Sequence, residues 1–308
     1  MSNTLSVVIP VFFNEGSLCD LFSSLQTVEE RLRDWGMDME LVFVDDGSGD
    51  ESLQELLRIK EKRPATKVVK LTRNFGAVKA SKSGFRFITG DCFTVLAADL
   101  QDPPELILQM IEKWKSGSMF TVCVRAKRSD PMKKKIFSKM YYWMIRRIVA
   151  SDYPRGGFDL FLLDSKMLPH FVASSKAMYT PILAWWLGVK PEIIFYDRLE
   201  RKHGSSRWTF RKRLAAFFDV ILGFSTAPLR VATTIGALVA FLSFFYSFLV
   251  VVSAVLGKMP VPGFATIVSL MSFLSGIVIL MLGLIGEYIS RIFDEVNQRP
   301  DAVIEKVY

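Results

Sequence analysis

Two uncharged apolar runs, Val231–Leu256 and Val261–Gly286, restrict this chain more than any other feature. Each is about 26 residues long, and roughly 20 apolar residues suffice to cross the ~30 Å hydrocarbon core of a bilayer. Only Gly257-Lys258-Met259-Pro260 separates them, so a tight transmembrane hairpin with both ends on one side is expected. The competing reading, two buried helices of a soluble protein, is disfavoured because few soluble cores take two such runs without a charge. The roughly 210 residues ahead of the hairpin carry most of the 39 Lys and Arg. Arg230 precedes the first span, Arg291 follows the second behind Glu287, and no secretory signal is read at the start. The positive-inside rule then places the N-terminal bulk and the 287–308 tail on the cytoplasmic side.

The chain has 308 residues and a formal charge of +8, and its first 210 residues suffice for one α/β domain with its own core. Cys19, Cys92 and Cys123 are odd in number and lack CxxC spacing, so they read as small apolar fillers in a reducing compartment. His170 and His203 are too few for a His-based metal site. The basic excess suits anionic lipid or a phosphorylated substrate beside a membrane, in preference to nucleic acid.

Strand-like and helix-like runs alternate. Strands are expected over Leu5–Val11, Glu40–Val44, Lys67–Leu71 and Phe93–Ala97, with helices over Gly16–Trp35, Asp50–Lys62, Ala77–Ile88 and Pro104–Lys115. This order predicts a mostly parallel sheet with helices on both faces. Ligands of such sheets bind beyond the strand C-termini. The residues there are polar: Asn14-Glu15, Asp45-Asp46-Gly47-Ser48, Arg73-Asn74-Phe75-Gly76 and Asp99-Leu100-Gln101-Asp102. No G-x-G-x-x-G or P-loop follows a strand. Asp50 fits a helix cap, whereas adjacent Asp45 and Asp46 repel each other and gain from ribose hydroxyls or base N–H donors. Asp99 and Asp102 offer hard oxygens suited to Mg²⁺ or Mn²⁺ beside a diphosphate.

These segments resemble the family 2 glycosyltransferases of GT-A fold: Val8-Ile9-Pro10 through Asn14-Glu15, Val44–Asp50, Arg73–Gly76 and Asp99–Glu105. With the hairpin, the likeness narrows to polyprenyl-phosphate glycosyltransferases, above all the bactoprenol-phosphate glucosyltransferases of O-antigen modification. The resemblance implies a Rossmann-like GT-A domain over 1–210, followed by interfacial helices and a two-helix transmembrane hairpin. The expected divisions are an interfacial helix at 132–149, a juxtamembrane helix at 211–229, spans at 231–256 and 261–286, and the tail at 287–308. It further implies a nucleotide-sugar pocket of Pro10, Asn14, Glu15, Asp45, Asp46, Ser48, Arg73, Asp99 and Gln101. Asp99 matches the last aspartate of the D-x-D metal motif, while Ala97 stands where the first would be. Asp102 either compensates or caps a turn.

Gly156–Asp164 is similar to the family segment that carries the proposed catalytic aspartate, which maps to Asp159. A phosphate monoester has its second pKa near ~6, so the acceptor is already mostly ionised at neutral pH and Asp159 is expected to position more than to deprotonate. Asp164 reads equally as a structural turn residue. Arg201–Trp208 is similar to the family's R-x-x-G-x-S-K-aromatic loop, so Arg201, Ser206 and Arg207 are assigned to the diphosphate or lipid phosphate. Anionic lipid is the competing partner for Lys202 and Lys212. Met132–Val149 sets Lys135, Lys139 and Arg146 against Phe137, Met140, Tyr141, Met144 and Ile148. Arg211–Leu222 offers Leu214, Phe217, Phe218 and Ile221. Both suit a membrane interface or a packed interior.

The implied activity is inverting transfer of one sugar, glucose in the first instance, from a UDP-sugar to undecaprenyl phosphate at the cytoplasmic face. Mg²⁺ or Mn²⁺ is the implied cofactor, a flippase acts downstream, and a homotetramer is the implied assembly. The alternatives are the same chemistry with aminoarabinose or mannose, or a degenerate membrane scaffold, for which Ala97 is the support.

Overall fold

The structure, a computed structural model, describes residues 3–126, 141–147, 150–174, 179–199, 217, 219–256, 263–297 and 299–308. These divide into two compact units, one of residues 1–223 with 300–308 and one of residues 224–299.

The first unit is built on an eight-stranded sheet. Its strands are β1 (Asn3–Val11), β2 (Met37–Asp45), β3 (Lys67–Leu71), β4 (Cys92–Val95), β5 (Phe120–Arg125), β6 (Phe158–Asp164), β7 (Glu192–Tyr196) and β8 (Ile304–Val307), in the order β7-β5-β6-β4-β1-β2-β3-β8. Strands β3, β2, β1 and β4 run parallel, as the βα alternation predicts. Strand β6 enters antiparallel between β4 and β5, and β7 pairs parallel with β5. The sheet is therefore mixed, with a parallel centre.

Helices α1 (Glu15–Asp34), α2 (Ser52–Lys62), α3 (Ala77–Gly84) and α4 (Leu106–Lys115) are the crossovers. The short α5 (Leu168–Val172) and α6 (Thr180–Trp186) follow β6. Strand β1 is buried along nearly its whole length, as a central parallel strand covered on both faces should be. Leu18, Leu21, Leu25, Val28 and Leu32 of α1 join its side chains in the core, each fully buried aliphatic contributing about 1.5–3 kcal/mol. A second, aromatic layer lies around β6, where Phe158, Phe120, Tyr153 and Trp185 meet at centroid distances of 5.3–6.2 Å.

Two cysteines behave as fillers: Cys92 and Cys123 are buried, and burial pushes the Cys123 thiol up to about 12. Cys19 departs from that expectation. It is exposed and donates to Glu55 Oε1 at 3.0 Å, because the face of α1 it occupies meets the polar side of α2.

The tail contains a strand that the sequence reading left unassigned. Residues 304–307 pair antiparallel with the outer edge of β3, with Val69 opposite Val307 and Lys70 opposite Lys306. Residues 141–147 are helical, with Ile145 buried and Trp143 exposed. Phe217 packs on Tyr141 at 6.0 Å. Val220, Ile221 and Leu222 are buried, so these three residues of the 211–229 segment pack inside the protein. Residues 132–140, Leu214 and Phe218 lie outside the described residues.

The second unit consists of α7 (Ala227–Val255) and α8 (Phe264–Val296). Both are long and apolar enough to cross a membrane, and the segments that qualify are not buried by protein. At 1.5 Å per residue, either helix exceeds the ~30 Å hydrocarbon thickness. Helix α8 runs ten residues past Gly286, the end of the uncharged run. The added turns carry a Glu287–Arg291 pair at 3.1 Å, and nothing there breaks a helix before Pro300.

Candidate active site

The four parallel strands deliver their C-terminal ends to one edge of the sheet, and the mixed pairing adds three more. Strand β6 runs antiparallel to β4 with Thr94 opposite Leu162, so its first residues, Phe158 and Asp159, project beyond the end of β4. Strands β5 and β7 finish on the same edge at Arg125 and Tyr196, which are register partners. Residues from seven strands therefore gather along one edge.

Asp45 and Asp46 close β2 and are both essentially inaccessible to solvent. The Asp46 carboxylate is fully engaged in shaping the neighbouring loop. It accepts from Phe75 N (2.7 Å), Gly76 N (2.9 Å) and Asn74 Nδ2 (3.0 Å). Asp45 Oδ1 accepts from Ser48 N at 3.1 Å, while Asp45 Oδ2 has no hydrogen-bond partner among the described residues. Burial pushes both carboxyls above the ordinary 3.8, against the opposing bonds from Ser48 for Asp45 and from Phe75 and Gly76 for Asp46. An unpaired buried carboxylate oxygen is costly, and a ligand N–H or O–H would satisfy it.

Between these acids and the loop, Gly47 adopts φ +68°, and a Cβ there would lie 2.5 Å from the Arg73 carbonyl carbon. Only glycine lets the Asp46–Ser48 turn sit directly on the Arg73–Gly76 loop. The Arg73 guanidinium lies 4.6 Å above the Phe75 ring.

Pro10 sits near the end of β1 opposite Val44. The turn after β1 passes through Phe13 at φ 57°. Asn14 Oδ1 accepts from Phe12 N at 3.0 Å, and Ser48 Oγ accepts from Phe13 N at 3.1 Å. Glu15 Oε2 accepts from Glu51 N at 2.9 Å. Glu15 and Ser48 thus tie the β1 and β2 turns together, as does Ser52 Oγ, which accepts from Asn14 N at 2.8 Å.

On the β4 side, Leu100 takes φ 58°, and Asp99 Oδ1 accepts from Gln101 N at 3.1 Å. Asp102 is committed elsewhere. It is buried, accepts from the Tyr196 hydroxyl, and pairs with Arg198 Nε at 3.2 Å. Burial raises its pKa in spite of Arg198. Through these contacts it pins the end of β7 to this loop, with Leu199 N donating to Gln101 O at 3.0 Å. Among the described residues no group of three or more His, Cys, Asp or Glu forms a cation cage. One hard carboxylate on a tight turn does fit Mg²⁺-type ligation, in which substrate phosphates and water complete the set.

Asp159 accepts from the Arg125 guanidinium and from the Tyr179 hydroxyl at 3.0 Å, and Arg198 stands 3.9 Å away. Burial lowers the tendency of Arg125 to stay charged, but Asp159 and Tyr196 outweigh it and raise its pKa. Burial, with the Asp159 charge adding to it, raises the Tyr179 pKa well above 10, so that hydroxyl remains a donor. Asp159 is thus a fixed carboxylate with two oriented donors. Asp164, at the far end of β6, accepts from Trp114 Nε1 and Lys166 N, a structural role. Arg201, Ser206, Arg207, Lys202 and Lys212 lie outside the described residues.

Four site residues escaped sequence reading: Arg125, Tyr179, Tyr196 and Arg198. The signal for three of them was present. Arg125, Tyr196 and Arg198 follow apolar β-rich runs, as the aspartates do.

The chain is similar to known proteins. The chain is 34% identical over 305 residues to the uncharacterized glycosyltransferase YkcC of Bacillus subtilis, covering 98% of this chain and 94% of the relative. It is 30% identical over 306 residues to the SfII prophage-derived bactoprenol glucosyl transferase of Shigella flexneri, covering 98% and 97%. In fold it resembles the mannosyl-3-phosphoglycerate synthase of Rubrobacter xylanophilus, at TM-score 0.50 and 14% identity over 70% of this chain and 71% of that one. Residues 227–292 match the GtrB C-terminal hairpin, which associates the chain with a membrane. Residues 6–178 match the model of glycosyl transferase family 2, and the protein belongs to that family.

Proposed function

We propose that this glycosyltransferase moves one glucose from UDP-glucose to a polyprenyl phosphate, undecaprenyl phosphate in bacteria, at the cytoplasmic face of the inner membrane. The observation that carries this reading is the convergence on one sheet edge of Asp45, Asp46, Asp99 and Asp159, in a chain that also bears the apolar hairpin. The bactoprenol glucosyl transferase relatives give the acceptor and the sugar by analogy.

In this reading the uracil N–H or ribose hydroxyls meet the unpartnered Asp45 Oδ2, and the Arg73–Gly76 loop, held by Asp46, closes the nucleoside side. Asp99 would hold a Mg²⁺ or Mn²⁺, which when bound supplies Lewis-acid stabilisation to the leaving diphosphate. An acceptor phosphate oxygen attacks the anomeric carbon as the bond to the nucleoside diphosphate breaks, and the configuration inverts. Because that oxygen is already ionised at neutral pH, no strong base is required. Asp159, fixed by Arg125 and Tyr179, orients the reacting groups, a role that suits an ion-paired carboxylate better than proton abstraction. The motif resemblance assigns Arg201, Ser206 and Arg207 to the phosphates, and a flippase takes the product onward.

The test is transfer by purified protein to undecaprenyl phosphate from a panel of UDP- and GDP-sugars, with and without EDTA. Metal-dependent transfer from UDP-glucose is expected. Transfer from another donor alone would replace glucose, and lipid binding without any transfer would leave a scaffold.

A further inference from the structure

The tail after α8 grips the first unit at two points that bracket one loop. At the near end, Thr72 N donates to Val303 O at 3.0 Å, Tyr308 N donates to Val68 O at 2.9 Å, and Lys70 Nζ pairs with Glu305 at 2.7 Å. At the far end, Asp301 Oδ2 lies 2.7 Å from Lys82 Nζ, with both side chains only about a tenth exposed. Lys82 also donates to Ser174 O, and Ala302 between the two grips is buried. The chain between Thr72 and Lys82 is the Arg73–Gly76 loop and most of α3.

That loop is the one whose backbone N–H groups converge on Asp46 and whose Arg73 backbone rests on Gly47. Helix α3 packs so closely on the sheet that a Cβ at Gly84 would lie 2.5 Å from Val8 Cγ1. The C-terminal half of the helix is therefore seated on β1. The preceding loop is held by Asp46 on one side and is flanked by the two tail contacts, at Thr72 ahead of it and at Lys82 in the helix after it.

We infer that residues 301–308 are a positioning strap for the donor-nucleotide loop, with Asp301 as its principal anchor. The inference rests on the donor reading above and extends it to residues 226 positions from Phe75 in sequence (301 less 75). Asp301 acts through Lys82 and α3 and touches no substrate. Removing its charge leaves a buried Lys82 ammonium without its carboxylate, and Lys82 must then seek water by shifting α3.

The experiment compares wild type, Asp301→Asn and Asp301→Glu, measuring donor KM, acceptor KM, kcat and melting temperature in the same detergent. Asp301→Asn is expected to raise the UDP-sugar KM about tenfold, within the range over which remote contacts couple to a binding site. The acceptor KM should stay within twofold, and Asp301→Glu should restore most of the donor KM. An unchanged donor KM overturns the inference, as does a parallel loss of every parameter together with melting temperature.

Should Asp301→Asn fail to accumulate, hydrogen exchange on the intact wild-type chain decides. UDP must slow exchange at Phe75 and Gly76 and also at Thr72 and Tyr308, and protection confined to the first two overturns the strap. A wild type that neither binds UDP nor transfers sugar removes the donor reading and the strap together. An active wild type with an indifferent Asp301→Asn removes the strap alone.

Discussion

Asp45→Asn should make this protein more stable and less able to use its donor. Asp45 is fully buried, with Ser48 N bonded to Oδ1 and, among the described residues, nothing bonded to Oδ2. An unsatisfied buried polar group costs about 1–3 kcal/mol, and more when charged. The amide keeps the Ser48 bond and removes the charge, though its NH₂ remains unpaired, so the net gain is about 1 kcal/mol. For a domain of this size that corresponds to a melting temperature higher by about 2–4 °C. The donor loses a charge-assisted hydrogen bond worth about 1.5–3 kcal/mol, which raises its KM about 10–100-fold.

The pH dependence has a definite sign. Burial sets the folded-state pKa above 3.8, so the folded chain holds this proton more tightly than the unfolded chain. The destabilisation from ionised Asp45 is therefore fully present above the folded pKa and gone below 3.8. The stability gap between variant and wild type should be largest at neutral pH and shrink as the pH falls toward 3.8. Differential scanning fluorimetry in detergent, paired with donor-saturation kinetics, tests both halves. A lower melting temperature, or an unchanged donor KM, would refute the assignment of Asp45 Oδ2 as an acceptor held open for the donor.

Asp99→Ala should abolish the difference between assays with and without EDTA, leaving at most a slow residual rate, and a variant that still needs metal would sink Asp99 as the ligand. Gly47→Ala should destabilise by about 1–3 kcal/mol through its left-handed backbone alone, with donor KM rising as the Arg73 backbone is pushed away. A neutral melting temperature there would contradict the 2.5 Å approach. Arg198→Met strands the buried Asp102 charge and should cost about 3–5 kcal/mol. Arg198→Met with Asp102→Asn should recover much of that in a thermal double-mutant cycle, and additive losses would show that the two side chains are not coupled.

The first four strands and their crossovers are legible to within a few residues because each buried strand ends abruptly in a polar turn. Asp45, Asp46 and Asp99 stand at those boundaries, which is why their side chains are legible as candidates from the sequence. Legibility fades where neighbours are made by pairing rather than by sequence. Arg125, Asp159, Tyr179 and Arg198 span more than 70 residues of chain, and they meet because β6 inserts antiparallel and β7 pairs with β5. Asp102 reads from sequence as either a metal ligand or a cap, because its partners, Tyr196 and Arg198, are remote. Strand β8, Ile304-Glu305-Lys306-Val307, has too few apolar residues to announce itself, and the exposed edge of β3 gives it its conformation. Helix α8 outruns its apolar stretch because a charged helix end is invisible to a reading that stops where hydrophobicity stops.

Strand β8 also sets an order of assembly. A ribosome completes β1 through β7 and then the whole of the α7–α8 hairpin before residues 304–307 exist. Until that moment β3 is an open edge, with backbone N–H and C=O groups available to any other nascent strand. The sheet can be closed only by a chain whose two apolar helices have already been translated. Stalling or truncation anywhere between Arg230 and Pro300, with or without the two helices, would thus leave a domain with an adhesive flank, a product suited to removal by proteolysis.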